Sequence, residues 1–197
     1  VSIDIENDVP VSSTGTYAVG EVHEDALANA AATGNLEAGE TQVVTATVSA
    51  ASLAALVADG ADSPVTIALN NLGGADSIEG TSTGLTQLGV AITWHVVSAT
   101  QIDGIIGGDT SKVAFSLTKN GGDANFTFTL KDNIDHGTLI DENGDAYVEG
   151  LSLSNLFKAT DTDGDDVVIG AAVSIDIEND VPVSSTGTYA VGEVHED

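Results

Sequence analysis

Apolar and polar residues alternate over short segments along most of this chain. Phe126, Phe128 and Leu130 are separated by Thr127 and Thr129, and a period of two places apolar side chains on one face of a β-strand. Similar segments, rich in Val, Ile and Thr, predict strands at 1–5, 15–22, 41–49, 65–69, 89–98, 113–118, 146–151 and 173–177. Clusters of Gly, Asn and Asp separate these segments, as turns between strands require.

Helical patterns are confined to two short places. Residues 51–58 predict a short helix with Ser52 as its cap, and residues 152–157 predict a second helical turn. Strands without alternating long helices favour an antiparallel sandwich. A minimal immunoglobulin-like domain needs only about 100 residues. We therefore expect an all-β, antiparallel immunoglobulin-like β-sandwich, elaborated with extra strands and one or two short helices.

The opening of the chain is duplicated at its end. Residues 1–25 return letter for letter as residues 173–197, which indicates a tandem array of domain-sized copies. We expect residues 1–7 to be the last strand of a preceding repeat, 8–179 a complete immunoglobulin-like domain, and 180–197 the start of the next repeat. Identical copies suit a protein that must be long, because each one adds the same increment.

The charge balance limits the possible partners. The chain has 31 acidic residues, four lysines and no arginine, for a formal net charge of −27, and such a chain repels itself when compact. Nucleic acid and anionic membrane surfaces need Lys or Arg, and no segment approaches the roughly 18 apolar residues of a membrane span. A hydrophobic content of 42% argues against a disordered acidic tail. There is no cysteine, so the expected stabilising partner is a divalent cation.

One acidic run is the strongest candidate for a metal site. Asp161, Asp163 and Asp165 alternate with Thr162 and Gly164, and oxygen ligands at alternate positions can converge on one Ca²⁺, which takes six to eight oxygens. The spacing is not that of an EF-hand loop, which needs Gly at its sixth position and Glu at its twelfth. The alternative is a solvated acidic turn.

A second candidate is the junction between copies. It carries oxygen-bearing side chains before a proline: Asp176, Glu178, Asn179 and Asp180, duplicated as Asp4, Glu6, Asn7 and Asp8. This run resembles the polar, calcium-binding linker between cadherin domains. The cadherin resemblance implies further ligands from a DxD loop, for which Asp161 and Asp163 are the analogues, and from acids near the first strand. Those acids are Glu21, Glu24 and Asp25, with Glu193 and Glu196 in the second copy. The alternative is a flexible acidic hinge.

A third acidic segment offers Asp141, Asn143 and Asp145. It is a possible calcium loop, although a plain hairpin turn at Asn143-Gly144 explains the same residues equally well.

Catalytic motifs are missing from the sequence. There is no HExxH or cysteine to accompany the histidines in a zinc site, and no GxSxG nucleophile motif. Carboxylate pairs are numerous, so counting leaves a glycosidase dyad open, but a single Trp offers little for stacking sugars. We therefore expect a protein that is not an enzyme.

Four segments in a fixed order carry a family resemblance: SLAALVADGADSPVT (52–66), TSTGLTQLGVAITW (81–94), FTFTLKDNIDHG (126–137) and LFKATDTDGDDVVIGAAVSIDIENDVPV (156–183). Their order resembles the tandem extender repeats of bacterial RTX adhesins. That family implies calcium-binding immunoglobulin-like repeats, type I secretion, and a location outside the cell on the bacterial surface. It implies a function as a spacer that holds an adhesive tip away from the outer membrane.

Two functions stay open on the sequence alone. The first is a calcium-stiffened extender whose partners are neighbouring identical repeats, monomeric or weakly associated head to tail. The second is a module of the same adhesin that binds a ligand such as a sugar, a protein or ice.

Overall fold

The computed structural model describes residues 8–29, 43–137 and 148–180, and these residues form an all-β, sandwich-like fold. The strands are Val11–Ser12 (β1), Thr16–His23 (β2), Thr45–Val48 (β3), Val57–Ala58 (β4), Thr66–Leu69 (β5), Ser82–Gln87 (β6), Val90–Ser98 (β7), Gln101–Ile106 (β8), Asp109–Lys119 (β9), Phe126–Leu130 (β10), Val148–Ser152 (β11), Phe157–Thr160 (β12), Asp166–Val168 (β13) and Ala172–Glu178 (β14). The expected fold class is confirmed.

The larger layer is a six-stranded antiparallel sheet in the order β3-β10-β9-β8-β7-β6. In β10 the predicted alternation holds, because Phe126, Phe128 and Leu130 are buried while the threonines between them are half-buried. The opposing layer consists of two three-stranded sheets, β11-β14-β2 and β13-β12-β5, and β1 pairs with β4. One continuous hydrophobic core lies between the layers, where the rings of Phe126 and Phe157 meet edge to face with centroids 5.1 Å apart.

Among the described strands, the first long one and the last one are parallel neighbours. In the register of β2 and β14, Ala172 is opposite Thr16 and Glu178 is opposite His23. β14 lies in the centre of its sheet, between β2 and β11. Residues 172–178 therefore pair with the opening segment of the same chain. The proposed domain limits at residues 8 and 179 stay a prediction, and the expected strand at 1–5 lies outside the described residues.

The single α-helix of the described residues, Ala50–Ala54 (α1), is shorter than expected. Its cap is Ser49 rather than Ser52, because the Ser49 hydroxyl accepts a hydrogen bond from the Ser52 N–H at 3.2 Å. Two 3₁₀ turns, Glu24–Ala26 and Gly74–Asp76, complete the helical content. None of the described helices is long and apolar enough to cross a membrane.

The second predicted helical turn, at residues 152–157, is wrong. Those residues link β11 to β12 through a tight turn in which the Leu156 N–H donates to the Leu153 carbonyl. Asn155 lies in the left-handed region with φ of 66°, which ends any helical path. The spacing of Leu151, Leu153 and Leu156 fits a strand followed by a turn, and all three side chains are buried.

Gly104 is required by the packing of the core. A Cβ at this position would lie 2.1 Å from Cε2 of Phe115, because the Phe115 ring packs directly over Gly104. The same ring meets Trp94 edge to face, with 5.3 Å between the ring centroids. Phe115 and Trp94 are both buried, so neither ring has room to move aside.

We expect Gly104→Ala to lower the free energy of unfolding by about 1–3 kcal/mol, the usual cost of overpacking. Gly121→Ala is the matched control, because no atom lies within 4 Å of the position its Cβ would take; it should change stability by less than about 0.5 kcal/mol. Denaturant unfolding measures both values. Equal effects of the two substitutions would contradict this account of Gly104.

Candidate metal centre

Sheet pairing brings two acidic loops together. β5 runs antiparallel to β12, with Thr66 opposite Thr160. The loop before β5 therefore lies beside the loop after β12. Asp62 belongs to the first loop, and Asp161 and Asp163 belong to the second.

The carboxylates of Asp62, Asp161 and Asp163 form a compact group. One oxygen from each lies within 4.8 Å of the others. The backbone fixes the two loops to each other, because the Thr162 N–H donates to the Asp62 carbonyl at 3.1 Å. Three carboxylates at this spacing offer up to six oxygens, which is the ligand type and number that suit Ca²⁺.

Asp161 organises the second loop. Its Oδ1 accepts hydrogen bonds from the N–H groups of Gly164 at 2.9 Å and Asp165 at 2.8 Å. Gly164 has φ of 106°, a backbone conformation that glycine adopts without strain. Asp161 is only 5% exposed, and no N–H or hydroxyl group of the described residues donates to its buried Oδ2. A buried carboxylate oxygen in that state is costly unless a proton or a cation reaches it.

The carboxylates perturb each other's ionisation. The neighbouring Asp161 carboxyl, burial, and the charges of Asp165 and Asp62 raise the pKa of Asp163 above its ordinary value of 3.8. Burial also raises the pKa of Asp161, but hydrogen bonds from the Asp165 backbone, the Asp163 carboxyl and the Gly164 backbone outweigh it, and the pKa of Asp161 is lowered. One proton shared by two crowded carboxyls produces this split.

The nearest cation of this region is already paired. Lys158 Nζ lies 2.8 Å from Asp166 Oδ2, and the Thr160 hydroxyl donates to the same carboxylate. Although partial burial raises the pKa of Asp166, the hydrogen bonds from Lys158 and Thr160 hold it below the ordinary value. Lys158 is thus ion-paired with Asp166, the first residue of β13, which lies beside the cluster.

Asp8 ties the start of the described chain to this end of the domain. Its Oδ2 accepts a hydrogen bond from the Ala61 N–H at 2.6 Å, one residue before Asp62. The predicted junction residue therefore lies against the loop that carries the cluster.

A second group of metal-ligating side chains lies at the far ends of β2 and β14. It comprises Glu21, His23 and Glu178, whose ligand atoms lie within 4.8 Å of one another. His23 Nδ1 is 2.5 Å from Glu178 Oε2, and its Nε2 is 3.6 Å from Glu21 Oε1. Each ring nitrogen of His23 thus faces one carboxylate.

Two further predicted ligands are turned into the protein. Glu24 and Asp25 are both buried. Glu24 Oε1 accepts a hydrogen bond from the Ile134 N–H at 2.6 Å and lies 3.2 Å from His136 Nε2. These contacts attach the 3₁₀ turn after β2 to the loop after β10.

The remaining junction residues lie where β14 ends. Asp176 is exposed, Asn179 and Asp180 are half-buried, and Asp180 Oδ1 is buried without a hydrogen-bond partner among the described residues. Asp165 contributes its N–H to Asp161, and its carboxylate is not part of the group around Asp62. Eight predicted ligands lie outside the described residues: Asp4, Glu6, Asn7, Asp141, Asn143, Asp145, Glu193 and Glu196.

Sequence reasoning missed Asp62 and His23. Asp62 becomes a neighbour of Asp161 only through the pairing of β5 with β12, which no local pattern reveals. His23 had a usable signal, because residues two apart on a strand share a face and Glu21 is already an acidic candidate.

Comparisons with protein-family models, curated proteins and solved structures find no match to this chain. The resemblance to RTX adhesin repeats therefore stays a prediction from the sequence motifs.

We expect Asp163→Asn to stabilise the metal-free protein at pH 7. An acid with a raised folded-state pKa binds its proton more tightly when folded, so folding stability falls as pH rises from 3.8 through the raised value, and the loss is complete above it. Asparagine removes that loss. Chemical denaturation in excess chelator, at pH 7 and again near pH 3.5, should show the difference at pH 7 and its disappearance in acid.

Asp109→Asn is the charge-matched control. Hydrogen bonds from the Ser111 hydroxyl and N–H lower the pKa of Asp109, so its contribution to stability is present above 3.8 and is lost as pH falls. This variant should be less stable than the parent at pH 7. Destabilisation by both variants would contradict the assignment of Asp163 as a repelled carboxylate.

Proposed function

We propose that this chain is a calcium-stabilised, non-catalytic spacer domain from the tandem array of a bacterial surface adhesin. The observation that supports this most strongly is the parallel pairing of β2 with β14, because it sets where the chain enters and leaves the domain.

Parallel strands point the same way, so the two ends of the described chain are far apart. The Ala172 N–H donates to the Gly15 carbonyl, where β2 and β14 begin, and Asp8 lies at that end against Ala61. Glu178 and Asp180 follow at the other end. Seven residues of β14 at about 3.3 Å each separate the ends by about 20 Å. Copies joined in this way are strung end to end, and each adds length.

The duplication gives the junction its chemistry. Asp180 has the place in the next copy that Asp8 has in this one. In an array, the acids that end one copy, Glu178 and Asp180, would therefore approach the next copy's equivalents of Asp62 and Asp161. We propose that calcium binds within this group and stiffens the junction.

Calcium is the cation that the donors favour. The ligands around Asp62 are carboxylates, which suit hard cations, and Mg²⁺ demands a tighter octahedral shell and retains its waters. Extracellular calcium modules bind at about 10⁻⁴–10⁻³ M. A chain of net charge −27 would gain least from calcium in the cytosol and most outside the cell, which fits type I secretion to the cell surface.

Calcium should raise the melting temperature strongly. One site at a hundredfold excess over its dissociation constant adds about 2.7 kcal/mol, and each kcal/mol shifts a domain of this size by about 2–4 °C. Scanning calorimetry in 10 mM Ca²⁺ and in EDTA should therefore differ by about 5–10 °C for a single site, and by more if the junction residues bind a second ion. Magnesium should give a much smaller shift.

Single substitutions locate the effect. Asp62→Asn and Asp163→Asn should each reduce the calcium-dependent shift by more than half, whereas Asp109→Asn should leave it intact. Equal melting temperatures in calcium and EDTA for the parent protein would refute the proposed function.

A chain of two complete repeats tests the spacer geometry. In calcium, small-angle scattering should give a maximum dimension roughly twice that of one repeat, since the domains are joined end to end. EDTA should broaden the distance distribution as the junction loosens. Two domains folded side by side, with a maximum dimension near that of one repeat, would contradict the geometry.

A further inference from the structure

A cleft between the two layers has no part in the proposed spacer function. Its volume is about 490 Å³, within the range of small-molecule sites. One wall is formed by β6 and by Trp94 of β7, and the other by the turn between β11 and β12. The 3₁₀ turn Gly74–Asp76 borders its rim.

Serine hydroxyls dominate the lining, and backbone contacts orient them. Each of four serine Oγ atoms accepts a hydrogen bond from a backbone N–H 3.1–3.3 Å away, and these serines are Ser77, Ser82, Ser152 and Ser154. A hydroxyl has one proton to donate and two lone pairs. Because a lone pair takes the backbone contact, the proton of each serine stays available to a bound molecule.

The remaining polar groups limit the charge of that molecule. Asp76 is the one charged side chain of the lining, and Asn155 adds an amide. The hydroxyls of Thr81 and Thr83 also line the cleft, but each donates its proton to a backbone carbonyl. With no lysine in the lining and a net charge of −27 on the chain, an anion would be repelled. Asp76 is exposed, so water screens its charge and a neutral hydroxyl can donate to it as well as a cation can. A neutral ligand that both accepts from serines and donates to this carboxylate is a polyhydroxylated one.

The walls of the cleft are fixed before any ligand binds. Asn70 is completely buried, and its Nδ2 donates to the carbonyls of Asp76 at 3.0 Å and Asn155 at 2.8 Å. One amide thus joins the two rims. Its Oδ1 accepts from the Leu72 N–H, so this buried side chain is satisfied. A preformed site loses little conformational entropy on binding.

We propose that this cleft binds a neutral saccharide. Trp94 is only 4% exposed, so it offers too little surface to stack on a sugar ring, and the hydroxyl contacts supply most of the recognition. For a ligand of about twelve non-hydrogen atoms at about 0.3 kcal/mol per atom, the dissociation constant falls in the millimolar range.

The cleft is separate from the carboxylate cluster. Val168 lines the cleft and lies opposite Lys158 on β12, three residues before Asp161. Three residues of strand place the nearest edge of the cleft about 10 Å from Asp161. Saccharide binding is therefore expected in both calcium and EDTA, and its outcome does not decide the spacer proposal.

Trp94 provides the measurement, because it is the only tryptophan of the chain. Its fluorescence should change saturably when the methyl glycosides of glucose, galactose, mannose and N-acetylglucosamine are titrated to about 100 mM, with at least one half-point in the millimolar range. Amide resonances of Ser152 and Asn155 should shift with the same half-point. Glucuronate should bind at least tenfold more weakly than methyl glucoside.

Matched variants test the site. Ser82→Ala with Ser152→Ala removes two outward donors at exposed positions and should weaken binding at least fivefold, while Ser98→Ala, an exposed serine on β7 outside the cleft, should not. Several results overturn the proposal: no response to any glycoside, a response that the double variant retains in full, a non-saturating response that glycerol reproduces, or glucuronate binding as tightly as glucoside.

Discussion

The parallel hydrogen bonding between β2 and β14 is the constraint on which the rest of this structure depends. β14 completes the sheet between β2 and β11, and it carries Val173, Ile175 and Ile177 into the core. The strand that completes this sheet is thus the last of the described strands. Its pairing with β2 joins segments from opposite ends of the described chain, which carries a loop-closure cost, and the acidic junction follows directly after it.

The distribution of charge follows from that closure. The acidic groups lie at strand ends, and therefore at the two ends of the sandwich. Asp62 and Asp161 lie at one end, and Glu178 lies at the other. At the second end His23 supplies a partner for the carboxylates. At the first end Asp161 retains a buried oxygen without one, and the carboxylates repel each other. The first end is therefore where an external cation would contribute most, because it would relieve repulsion and satisfy a buried acceptor together.

Local sequence patterns predicted several of the strands that have one buried face. β10 and β14 alternate cleanly, and both were predicted. β8 was not predicted, because five of its six residues are buried. Its apolar run is also interrupted by Gly104, where a side chain would clash with the ring of Phe115. β6 was missed because a register shift and the left-handed Gly84 disturb its alternation. The acidic loop at Asp161–Asp165 could be predicted from spacing alone, whereas Asp62 needed the pairing of β5 with β12.

Saccharide binding in the cleft and calcium binding at the carboxylate cluster, both as proposed, are compatible within one domain. The proposed spacer would use its two ends for its neighbours and leave its sides free, and the cleft opens beside the edge strand β6. A single site with a millimolar dissociation constant holds its ligand only weakly. When copies repeat at a fixed spacing, however, each binding event raises the effective concentration of the next site for a polymeric ligand. Stiff junctions strengthen this effect, because a rigid array presents its clefts at regular intervals, so calcium at the ends would govern binding at the sides without any change in the cleft itself.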